Sequence, residues 1–157
     1  MPFLALLVVA FVSQAPLPDF TGEWKMDAAR SGSPLQTPPI TEMIFVIEQQ
    51  PDRIAIKSTT GSDKPIPVVY PIGPAPKPPA DPLGAGMERA YWDGRRLIIE
   101  QGGTISGQTV SLRQSLTMDP ERGEMIVERL VIVQHGYTLR GAQNYSSVKD
   151  VFARSQR

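Results

Sequence analysis

The sequence predicts an all-β chain that closes into an up-and-down antiparallel β-barrel of about 8–9 strands. Three observations predict it. Apolar residues recur in short runs with strand-like alternation, turn residues punctuate those runs, and successive runs join as hairpins. A ring of strands leaves no unpaired edge, which favours closure. A β-sandwich is the alternative that the same pattern allows.

Taken in order, residues 21–26 form the first strand. The run 40–49 alternates Met43, Phe45 and Ile47 with Ile44, Val46 and Glu48 and is apolar on both sides for most of its length, as in a central strand. Pro51-Asp52 turns the chain into residues 54–58, where Ile54 and Ile56 share a face. From 63 to 86 the pattern breaks: eight prolines remove ladder donors and fix φ. This proline-rich loop is expected to be extended, with 68–70 pairing at most briefly at an edge. It serves as a bland surface insertion or as a lid or docking segment.

Strand order resumes with MERAYWDGRRLIIEQ, in which Asp93-Gly94 marks a tight hairpin turn. A two-residue turn there pairs Trp92 with Arg95 and Ala90 with Leu97, and sets Arg89 diagonal to Glu100, within reach of an ion pair. GGTISGQ is a glycine-rich connection, and residues 109–118 and 124–133 form a second hairpin around DPERG. With Met118 opposite Glu124, Leu116 faces Ile126, Gln114 faces Glu128, and Leu112 faces Leu130. The inward face then reads Val110, Leu112, Leu116, Met118, Ile126, Leu130 and Ile132. Residues 145–154 supply the last strand.

Composition narrows the function. The 157 residues amount to one domain. Lys+Arg and Asp+Glu each number 16, so the balanced charge argues against a nucleic-acid partner. Without cysteine there is no disulfide, no zinc-thiolate site and no lipid-modified cysteine. Residues 1–15, MPFLALLVVAFVSQA, read as a signal peptide. The apolar run 3–12 suits a leader core and is too short to span a membrane, which takes about 20 residues. The domain proper is therefore 16–157, exported to the periplasm or the medium, with no stable membrane insertion after cleavage.

Catalytic chemistry finds little support. His135 is the only histidine and lies in a turn-like VQHGY, without a nucleophile or orienting acid beside it. No metal or other cofactor is expected, since nitrogen and sulfur ligands are scarce. GGTISGQ precedes a strand and so lacks the helix N-terminus of a phosphate loop. Glu100 and Glu128 are the one carboxylate pair on strands that could face a common cavity for acid–base work; the plainer reading pairs Glu100 with Arg89 and Glu128 with Gln114 or an arginine. On the register above, Gln114 and Glu128 interrupt an apolar face. They either bond each other within a filled core or orient a mostly apolar guest together with Leu112, Leu116 and Leu130.

The stretch DFTGEWKMDAARS, with Gly22-x-Trp24 on the first strand, resembles the opening motif of lipocalins and their calycin relatives. It looks like the opening of small exported bacterial lipocalin-like proteins. The hairpin around Trp92 to Gly94 and the strand around Val127 to Arg129 are similar to theirs as well. The Thr-Asp-Tyr type turn of lipocalins is absent, and no helix follows the last strand. The resemblance implies that Trp24 plugs the closed end of the barrel and that a basic side chain of the last strand, Arg154 or else Lys149, lies over the indole. It also implies a non-enzymatic protein that binds a small hydrophobic molecule inside the barrel. A structural or interaction module with a filled core is the alternative, and a carboxylate-based enzyme is the third reading.

Overall fold

The structure, a computed structural model, describes residues 15–62, 64–77, 83–105, 107–134 and 145–155. Residues 1–14 of the leader, the middle of the proline-rich loop and His135 lie outside the described residues. Among the described residues there are nine strands: β1 (Gly22–Met26), β2 (Met43–Gln50), β3 (Arg53–Thr60), β4 (Ile66–Gly73), β5 (Glu88–Asp93), β6 (Arg96–Ile105), β7 (Gln108–Asp119), β8 (Glu124–Gln134) and β9 (Tyr145–Arg154). They close in sequence order into one barrel, β9 pairing back onto β1.

Alternation decides which side chains turn inward. Phe45 and Ile47 on β2, Ile54 and Ile56 on β3, Leu97 and Ile99 on β6, and Phe152 on β9 are all buried in one contiguous core. The end of the barrel where β1 begins is filled. Trp24 is fully buried, and its indole N–H donates to the Phe20 carbonyl at 2.8 Å. Phe20 stacks on Trp92 with ring centroids 6.2 Å apart. The Arg154 guanidinium carbon lies 4.6 Å from the Trp24 ring centroid, so the basic lid over the plug comes from β9 as expected. Gly22 makes room for it. Its φ is 139°, and a Cβ there would sit 3.3 Å from Arg154 Nη1.

Three local expectations are corrected. The turn between β5 and β6 is centred on Gly94 and Arg95, with Asp93 opposite Arg96, so Ala90 faces Ile99 rather than Leu97. This two-residue slip preserves the faces. In the β7–β8 hairpin Asp119 itself pairs with Glu124, and its carboxylate takes the backbone N–H groups of Glu121 and Arg122 at 3.0 and 3.2 Å. The loop is therefore one residue shorter than assumed, and the register moves by one. That sends Met125, Val127, Arg129 and Val131 inward and turns Ile126, Glu128, Leu130 and Ile132 outward. Thirdly, the glycine pair of GGTISGQ lies within β6 rather than in a connection.

The proline-rich segment also begins as a strand. β4 pairs with β3 from Ile66 to Pro71 and meets β5 in parallel at only two positions, Ile72 with Ala90 and Gly73 with Tyr91. The Ile72 N–H bonds the Asp52 carbonyl on the β3 side. Alternation then aims the even-numbered residues of β4 at β3 and the nitrogens of Pro67 and Pro71 away from it. The prolines are tolerated because they face the thinly paired side. Residues 74–77 leave β4 and residues 83–87 lead into β5, the two ends of the long return that adjacent parallel strands require. At its far end the chain lies directly on β6: a Cβ on Gly102 would collide with the Gly84 carbonyl.

Candidate functional site: the open half of the barrel interior

Opposite the Trp24 plug the inward wall changes character. Val110 is buried, whereas Leu112 and Gln114 on β7 and Arg129, Val131 and Val133 on β8 face inward and are only half-buried. An inward-facing valine in a filled barrel would be sealed. Partial exposure of Val131 and Val133, beside Leu112 and Gln114, means that solvent reaches this stretch of the inner wall.

Polar groups are few and placed. Gln101 on β6 donates to the Tyr70 hydroxyl at 2.8 Å and lies 3.4 Å from Glu88 Oε1. Burial, and next the Glu88 charge, push the Tyr70 hydroxyl up to about 12, against the pull of the Gln101 hydrogen bond. Across the opening, Arg129 is tied to Asp150 and to the Ser33 hydroxyl through Nη2. Asp150 is fully buried and also accepts from Ser33 N at 2.9 Å and Oγ at 2.6 Å. The short 3-10 helix Ser33–Leu35 is thereby pinned against the inner wall. Arg129 Nε is buried without a hydrogen-bond partner, and Gln114 lies directly opposite Arg129 in the ladder.

Of the five residues expected to bind a ligand, Leu112, Gln114 and Leu116 face the interior; Leu116 lies in the filled half, 1% exposed. Glu128 and Leu130 do not join them. Glu128 is exposed on the outer wall opposite Ser115, and Leu130 is outside opposite Arg113. Glu100 also points outward, paired with Arg89 as expected and with Arg113 in addition. The two carboxylates weighed as an acid–base pair thus both lie on the outer wall. The groups missed were Arg129, Tyr70, Gln101 and Asp150. A signal for Arg129 was present: Met125, Val127, Val131 and Val133 already form an apolar period-two series in which Arg129 is the single break.

No family model matches the chain, and no curated protein matches it. Several solved structures are similar. Zebrafish ileal bile acid-binding protein complexed with cholic acid aligns at 10% identity and a TM-score of 0.45, covering 87% of this chain and 98% of that one. A fatty acid transporter titled REP1-NXSQ gives 13% and 0.41, over 87% and 96% of the two chains. A secretory abundant heat soluble protein from Ramazzottius varieornatus gives 8% and 0.41, over 87% and 95%.

Proposed function

We propose that this chain is a non-enzymatic binding barrel, exported after removal of residues 1–15, that takes the apolar body of a small molecule into its open half. The observation that carries the reading is the half-buried inward row Leu112, Gln114, Val131 and Val133 above a core that is fully packed at Trp24. Binding sites are mostly apolar concavities with a few placed polar groups. Here Gln114, the Tyr70–Gln101 pair and the unpartnered Nε of Arg129 supply those groups. The filled-core module shares the packed lower half but leaves the open wall unexplained. The apolar leader run and the small residues Ser13 and Ala15 support export.

The test uses a neutral apolar probe, N-phenyl-1-naphthylamine, whose fluorescence rises on leaving water. Leu112→Trp and Val131→Phe fill the opening and are expected to weaken binding at least ~10-fold, about 1.4 kcal/mol. Unchanged affinity in both variants, with the fold intact by circular dichroism, would remove the interior as the site.

A further inference from the structure

We propose that the outer wall of the barrel carries a second, separate binding site, for a small organic carboxylate with a flat apolar body. Tyr91, Ile98, Ser115, Glu128 and Lys149 stand opposite one another in register across β5 to β9, all on the side turned away from the core. Side chains on a barrel's outer wall ordinarily meet water. Here Tyr91, Ile98 and Ser115 are 9%, 6% and 8% exposed, as buried as the core itself. They floor a cleft of about 460 Å³ whose walls include Leu130 and Arg113. That volume lies in the lower part of the range of small-molecule sites.

The polar chemistry points to an anion. The Ser115 hydroxyl is buried in the cleft and has no hydrogen-bond partner, a state that costs free energy until something bonds it. Cations lining the cleft are Arg96, Arg113, Arg129 and Lys149, against Asp93 and Glu128; with the Arg129 guanidinium turned inward onto Asp150, the rest leave an excess of one positive charge. Arg96 is engaged by Asp93. Arg113 is held in place from below: its Nε and Nη2 lie 2.7 and 2.6 Å from Glu100 Oε1, while Arg89 takes the other oxygen of that buried carboxylate. Nη1 of Arg113 is then left for a second anion, two residues along the strand from Ser115. A carboxylate that accepts from Ser115 and Arg113 sets an aryl or short aliphatic body on Ile98, Leu130 and Tyr91. Arginine suits such a group because its donors form a rigid fork matched to carboxylate geometry.

The experiment titrates the protein by calorimetry with 2-naphthoate and with its uncharged twin 2-naphthamide. The acid is expected to bind at least ~10-fold more tightly than the amide, with affinity falling as salt rises. Arg113→Gln and Ser115→Ala should each weaken the acid at least ~5-fold, and Ser115→Ala should melt no lower than the parent because the unbonded hydroxyl is gone. Naphthoate should leave N-phenyl-1-naphthylamine bound in the interior. Equal affinity for acid and amide, no binding of the acid, undiminished affinity in both variants, or displacement of the interior probe would each overturn the proposal. Should Arg113→Gln misfold, Ser115→Ala still decides it.

Discussion

Trp24 is the side chain on which most of the closed end depends. It touches the Phe20 carbonyl through its N–H, carries Arg154 on its face and has no exposed surface. Trp24→Ala is expected to cost roughly 3–5 kcal/mol, read as a fall in melting temperature of about 10 °C or more. An unchanged melting temperature would show that the ring is not a plug. This residue was legible from sequence because its signal is local: a short motif at the start of the first strand. Tyr70 was not, since its partner Gln101 lies 31 positions away, and only barrel closure brings them together. Its hydroxyl makes a sign-definite prediction. The folded value, about 12, lies above the ordinary 10. The neutral form is therefore favoured by folding, and that contribution is complete below pH 10 and lost as pH rises through 12. Urea titrations across this window should show the parent losing stability more steeply than Tyr70→Phe; parallel curves would contradict it.

Among elements, β8 teaches the most. Its two faces are nearly equally apolar, Met125, Val127, Val131 and Val133 against Ile126, Leu130 and Ile132. Hydrophobicity alone therefore does not choose between them, and the hairpin loop decides. Asp119 both closes the ladder and caps the turn, a double duty that a two-state strand-or-loop reading misses. Once the register is right, Arg129 turns inward and becomes the clamp that joins β8, β9 and the Ser33–Leu35 helix through Asp150. Removing one partner of a buried pair strands the other charge. Arg129→Ala should cost about 3–5 kcal/mol in urea unfolding, and the double variant Arg129→Ala/Asp150→Ala should cost less than that single change. A double variant that is the less stable of the two would mean the clamp is a net asset rather than a mutual compensation.

For the whole molecule, the strand count and closure were readable because eight of the nine junctions between neighbouring strands are antiparallel, seven of them sequential hairpin steps whose periodicity is written locally. The ninth junction, β4 with β5, was not, because its strand is half proline-patterned and its partner lies beyond a long return. The barrel is thus two meanders, β1–β4 and β5–β9, sewn together along two lines. The line between β9 and β1 joins residues more than a hundred positions apart, so its loop-closure entropy falls late, after the local hairpins have formed. The line between β4 and β5 has only two paired positions, and any opening of the wall begins there. What such an opening exposes is set by Pro67 and Pro71. Between them only Val69 has an N–H on that side. A strand from another molecule seeking to extend the sheet finds one donor where it needs three. The wall can part without offering a template for polymerisation, so concentrated protein should resist fibril growth through the very line at which it is weakest.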